Sequence, residues 1–207
     1  MRSFQRFAVL LVGALGALVP LLSACGGDLP STNYPHEKEY DPRKHEFVIG
    51  VADELSVTVW KMPELSQNVV VRPDGTVTLP LIGEIKALGK TPTRLVKEIR
   101  GKLAAYVKDD QAVVTVEVKV INSYRFIVSG QVVRPGPLTA KYYVTVSEAL
   151  IMAGGPTRFG SPERTVILRA DGSGKVRRIP INAKALAEGK GLEQDLAVMT
   201  GDQIVVP

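Results

Sequence analysis

The sequence is poor in the side chains from which most active sites are built: one cysteine, two histidines, one tryptophan and 6% aromatic residues in 207 positions. A single cysteine excludes a disulfide within the chain, so an oxidising compartment would add no covalent staple. His36 and His45 sit in a polar, proline-containing stretch away from the cysteine. A metal site needs clustered ligands, so these read as solvated linker residues, and neither a metal nor a cofactor is expected. Ser129, in VSGQ, lacks the glycine pattern of a nucleophile elbow. Gly172-Ser173-Gly174-Lys175 lacks the spacing of a phosphate loop and reads as a hairpin turn. Asp53 and Glu54 are neighbours in a strand and point to opposite faces, and Asp109 and Asp110 lie in a turn. Both pairs read as solvated turn acids, without the facing-carboxylate geometry of glycoside hydrolysis. Nothing marks an enzyme. The net charge of +5 comes with no basic cluster interleaved with aromatics, so nucleic acid is not an expected partner. After Gly26 no apolar run approaches the about 20 residues of a membrane-spanning helix.

What the chain does have begins at its start. Arg2 and Arg6 precede an apolar run from Phe7 to Leu22, ended by Pro20 and the small residues Ser23 and Ala24. This is the layout of a cleaved secretory signal over residues 1–24. Leu22-Ser23-Ala24-Cys25 resembles the bacterial lipobox, in which the cysteine sulfur receives diacylglycerol and then becomes the N-terminus. Cys25 is therefore the expected lipidation site, chemically spent as a thioether. Several acyl chains on one residue anchor firmly where one chain binds only marginally. Gly26 stands where an aspartate would retain an enterobacterial lipoprotein at the inner membrane, so the outer membrane is the expected location. Loss of the signal removes two arginines and no acid, which lowers the net charge to +3.

Residues 25–44, rich in Gly, Pro, Asp and charge without helical or strand period, read as a flexible tether. ELSVTVW alternates as a half-buried strand, with Trp60 on the other face or at a sheet edge. Arg72-Pro73-Asp74-Gly75 predicts a hairpin between two β-branched runs. Thr91-Pro92 opens a helix with Leu95, Val96, Ile99 and Leu103 at helical spacing, broken by Lys108-Asp109-Asp110. AVVTVEVKVI is a further strand, with Val114, Val116, Val118 and Val120 on one face. From Tyr124 a second unit repeats the plan. It has two strands around Gly130 and Pro135-Gly136-Pro137, a helix from Thr145 to Met152, a hairpin around Asp171 to Gly174, and a final strand. Asp53-Glu54-Leu55-Ser56-Val57 and Gly201-Asp202-Gln203-Ile204-Val205 share a short pattern. The expected class is α+β in two small sheet-rich domains, 45–122 and 123–207. Trp60, Tyr106, Tyr124, Tyr142 and Tyr143 are candidate platforms for sugar rings, although core and interface roles are commoner for so few aromatics.

Phe47 to Trp60, Pro63-Glu64-Leu65-Ser66, VRPDGTVTLPLIG from Val71 to Gly83, and the segment through Val120 together resemble the N-terminal domain of bacterial polysaccharide export proteins of the Wza-like type. SGQVVRPG, TVSEALIMAGG and TGDQIVVP resemble the soluble-ligand-binding β-grasp domain that follows it. One departure is local: Gly50-Val51-Ala52-Asp53 stands where the family usually has Gly-Pro-Gly-Asp, so a tight turn must be made with less permissive residues. The resemblance implies a non-enzymatic homo-oligomeric ring on the periplasmic side of the outer membrane, a conduit for capsule or exopolysaccharide. It further implies an inner-membrane co-polymerase with tyrosine autokinase as partner. Larger members carry a C-terminal membrane-crossing helix, so a short form is expected here, with a separate outer-membrane β-barrel as pore. The ligand-binding residues are not readable from the sequence. A second reading stays open, a monomeric periplasmic carbohydrate- or small-ligand-binding lipoprotein.

Overall fold

The computed structural model describes residues 31–107 and 113–207. Cys25, the signal segment and the Asp109-Asp110 pair lie outside them. The fold is α+β, with two hydrophobic cores in succession.

In the first unit β1 (Glu54–Val59) is the centre of an antiparallel sheet between β2 (Gln67–Val70) and β5 (Val114–Val120). The alternation read in the sequence is the burial pattern: Leu55, Val57 and Val59 are buried, whereas Trp60 at the strand's end is exposed. Helix α1 (Pro92–Leu103) packs on β5 and buries Leu95, Ile99 and Leu103. Each such burial contributes about 1.5–3 kcal/mol. Thr91 caps the helix by accepting from the Arg94 N–H, which satisfies one of the first turn's orphan donors. On β5 burial fades from Val114 and Val116 to a half-exposed Val118 and an exposed Val120.

The turn at Arg72 to Gly75 forms, with Arg72 N–H donating to the Thr76 carbonyl, but its two flanking strands do not pair. Instead β3 (Thr76–Leu79) pairs with β4 (Gly83–Lys86) as a separate two-stranded hairpin. The sequence signal marked the turn correctly. The partner was set by β1, whose edge captures β2 and leaves β3 to the next run.

The second unit is a five-stranded mixed sheet in the order β7-β6-β10-β8-β9, formed from β6 (Arg125–Gly130), β7 (Gly136–Thr139), β8 (Thr165–Ala170), β9 (Val176–Ile181) and β10 (Gln203–Val206). The β10 strand inserts between β6 and β8, parallel to the former and antiparallel to the latter. Helix α2 (Val146–Met152) starts with a complete capping box, Thr145 and Glu148 each bonding the other's backbone. A five-residue helix, α3 (Ala183–Ala187), was not foreseen: it is too short to show a period.

Two positions before β1 show what the turn at Gly50-Val51-Ala52-Asp53 requires. A Cβ on Gly50 would lie 2.2 Å from the Ser123 Cβ, so only glycine admits the approach of the two units there. Ala52 has φ +70°, a left-handed conformation that costs a residue with a Cβ about 1–2 kcal/mol. Ala52→Gly is therefore expected to raise stability by up to about 1 kcal/mol, part of the gain being offset by glycine's larger unfolded-state entropy. A urea midpoint unchanged or lowered would contradict this.

Candidate functional site

The repeated pattern proves to be one local device used twice. Asp53 precedes β1 and Asp202 precedes β10, both are fully buried, and each accepts the backbone N–H three residues earlier. The bonds are Gly50 N–H to Asp53 at 2.8 Å and Met199 N–H to Asp202 at 2.7 Å. Each aspartate follows a residue with positive φ, Ala52 or Gly201. Asp53 is thus no solvated turn acid. Its second oxygen accepts the N–H groups of Asn122 and Ser123 at 2.9 and 2.8 Å, and the Ser123 hydroxyl donates to the first at 2.9 Å. Asn122 also donates its side-chain amide to the Ala52 carbonyl. One carboxylate therefore ties the first strand to the segment that leads into the second unit.

Asp202 sits in a charged cluster. Arg169 on β8 is directly opposite Arg177 on β9, a like-charge pair that is unfavourable unless neutralised. Asp202 receives a forked pair of bonds from Arg169, at 3.0 and 2.7 Å. Glu39 lies between the two arginines, 3.4 Å from Arg169 and 2.9 Å from Arg177, and accepts the Tyr34 hydroxyl at 2.7 Å. The cluster is neutral overall, two arginines against two carboxylates.

Glu39 belongs to the stretch expected as a free tether. From Tyr34 to Lys44 that expectation does not hold. The chain makes short 3-10 turns at Ser31–Asn33, His36–Lys38 and Pro42–Lys44 and lies on the second unit. His36, read as a solvated linker residue, is buried, with Nε2 2.7 Å from the Pro180 carbonyl. Tyr34 packs on the second core and Pro42 is buried. The segment hid its order because only isolated positions touch the sheet, and single anchors in a polar background leave no period. Farther on, Glu46 accepts the Thr93 N–H at 2.9 Å at the start of α1. That bond lies within the first unit, just beyond the end of the strap formed by Tyr34 to Lys44.

Burial pushes the Glu39 carboxyl up, but the bonds from Arg177 and Tyr34 and the field of Arg169 outweigh it and hold the group below the usual 4.5. A carboxylate with a lowered native value contributes its stability in full above the ordinary range, and loses it as pH falls through that range toward the native value. Acidification below about 4.5 is expected to free the strap first. Hydrogen exchange at the Glu39 amide, which bonds the His36 carbonyl, should accelerate on acidification relative to amides of the β8-β9 ladder. In Glu39→Gln it should be fast already at neutral pH. An acid-insensitive wild type would refute the clamp.

Among the aromatic candidates, Tyr124 is core, its hydroxyl donating to the Val198 carbonyl at 2.9 Å and burial pushing its pKa to about 12. Tyr143 is half-buried between Tyr124 and Phe47, with ring centroids at 5.1 and 6.4 Å, and so joins the two cores. Trp60, Tyr106 and Tyr142 are exposed. Tyr40 stacks on His45, centroids 4.6 Å apart and planes within 13°. Between the units lies a groove of about 370 Å³, walled by the strap, the first unit around Val48 and Leu88, and the second at Ser123, Tyr143 and Thr200. Ser129 bonds Gln203, within the sheet. Gly172 to Lys175 is a hairpin turn organised by Asp171. Among the described residues no group of His, Cys, Asp and Glu is placed to hold a metal, and no helix is long and apolar enough to cross a membrane. The charged cluster and the groove were missed in the sequence. The one signal that pointed to the cluster was the Asp53 and Asp202 repeat.

Residues 41–119 match the family profile described as "Polysaccharide biosynthesis/export protein", and residues 125–180 match the SLBB domain. The EPS I polysaccharide export outer membrane protein EpsA of Ralstonia solanacearum is 35% identical over 131 residues, covering 52% of this chain and 34% of that protein. The exopolysaccharide production protein ExoF of Rhizobium meliloti is 29% identical over 160 residues, 72% of this chain and 34% of its own. The capsule polysaccharide export protein BexD of Haemophilus influenzae is 29% identical over 128 residues, 53% and 32% respectively. The chain thus spans about a third of the length of these relatives. With both domains matched in succession and relatives named for polysaccharide export and production, the chain belongs to the bacterial polysaccharide export protein family.

Proposed function

We propose that the protein is a ring-forming subunit of a capsule or exopolysaccharide export channel, held by lipid on Cys25 to the periplasmic side of the outer membrane. The two units, 45–122 and 123–207, act as its domains. Polymer passes through the ring, an inner-membrane co-polymerase with its tyrosine autokinase delivers it, and the subunit performs no catalytic step. The observation that carries the reading is the succession of the two matched domains, fastened by the buried Asp53 to Asn122 and Ser123. A subunit whose domains keep one angle can repeat around a closed ring. The outer strands of the two larger sheets, β2 and β5 in the first and β7 and β9 in the second, lack a second strand partner among the described residues. Such edges support assembly by strand addition or edge-to-face contact. Native mass measurement of the purified chain should find a closed oligomer. Deleting the gene should abolish surface polymer, and Cys25→Ser should release the protein from the membrane fraction. A monomer at high concentration together with unaltered surface polymer would overturn the proposal. The groove between the units favours one alternative, a monomeric periplasmic carbohydrate- or small-ligand-binding lipoprotein, which the same mass measurement separates.

A further inference from the structure

The groove between the units has the chemistry of a small binding site. Its volume of about 370 Å³ falls within the about 300–1,000 Å³ of ligand pockets, which favour domain junctions. Tyr40 and Tyr143 contribute aromatic rings and Val48 an aliphatic wall, while Glu46, Ser123 and Thr200 contribute oxygens. A pyranose ring has the matching character: an apolar C–H face that lies on apolar side chains, and a rim of hydroxyls that must find acceptors and donors. Glu46 suits that rim. A carboxylate offers about four acceptor sites; the Thr93 N–H takes one and the Thr93 and Thr91 hydroxyls also donate to it, which leaves about one for a sugar hydroxyl. The lining includes no lysine or arginine. A uronate or phosphate would therefore bring a second negative charge next to Glu46 with no cation of the groove wall to pair it, the field of Arg94 reaching Glu46 only from outside the lining, an unfavourable arrangement in a half-enclosed site.

We propose that the groove is a saccharide subsite for a short stretch of neutral or N-acetylated glycan, with Tyr40 and Tyr143 as its platforms and Glu46 as its principal hydroxyl acceptor. It rests on the export reading only for the source of the sugar. The site is only half enclosed, so binding is weak and fast, as cargo in transit requires. Because the strap and both units line it, an occupied groove bridges all three.

Saturation-transfer NMR on the full-length chain in detergent tests the assignment, with maltotriose, chitotriose and trigalacturonate as probes. Maltotriose or chitotriose should receive saturation on ring C–H protons at millimolar concentration, and trigalacturonate should not. Val48→Trp and Thr200→Arg fill the groove from exposed positions, and each should weaken the signal by about tenfold with the melting temperature unchanged. Absence of transfer to both neutral probes, preference for trigalacturonate, or signals indifferent to both filling variants would overturn the subsite. Surface polymer measured in a deletion strain separates this from the channel proposal. Saccharide binding by a chain that is monomeric, with polymer intact, keeps the groove and removes the channel; polymer loss without saccharide binding does the reverse.

Discussion

Arg169→Ala is expected to destabilise the second unit by about 3–5 kcal/mol, the cost of leaving a buried charge unpaired. Arg169 and Asp202 are 4% and 1% exposed. Removing the guanidinium strips Asp202 of its forked partner, Glu39 of one of its two cations and the Ala197 carbonyl of a donor at 3.0 Å. Only the Met199 N–H would remain on the Asp202 carboxylate. A small domain has roughly 5–15 kcal/mol in all, so the urea midpoint should fall steeply. If the pair acts as a unit, Arg169→Ala with Asp202→Ala should cost less than the sum of the two, with a coupling of about 0.5–3 kcal/mol. Additive losses would show that the two residues stabilise the sheet independently.

Asp53→Ala is the second large effect, expected at about 3 kcal/mol. It removes four donors' acceptor at once, the N–H groups of Gly50, Asn122 and Ser123 and the Ser123 hydroxyl. Hydrogen bonds to a charged group contribute about 1.5–3 kcal/mol each, but not additively. The loss should also have a shape. Because Asp53 fastens β1 to the segment entering the second unit, calorimetry should show one transition separating into two, one for each core. Asp53→Asn should fall between, since an amide keeps one acceptor oxygen but aims its nitrogen at a donor. A single undivided transition in Asp53→Ala would show that the Phe47–Tyr143 contact couples the units without it.

The elements legible in the sequence are those whose cause is local. Thr91-Pro92 and Thr145-Glu148 each place a cap and a first turn within four residues, and α1 and α2 start there. Asp171 to Gly174 carries its own turn chemistry, and β8 and β9 follow from it. Where the cause is distant, reading the chain failed. Nothing near Thr76 says that β2 will join β1 rather than β3. His36 and Glu39 look solvated until β8 and β9 supply a carbonyl and two arginines. The aspartate repeat was visible as a pattern, but its role depends on Asn122 and Arg169, far away in sequence. The groove was invisible for the same reason, being walled by three segments that meet only in the fold.

The place of β10 inside its sheet also governs how the second unit is made. Ser129 and Ile204, 75 positions apart in the chain, are joined, and β6 meets β8 only through β10. Until residues 203–206 arrive, the β6-β7 pair and the β8-β9 pair are two half-sheets with bare inner edges. Pairing across such separations is slow, and its waiting edges are prone to aggregate. A chaperone able to shield a strand edge would act on this protein at that stage.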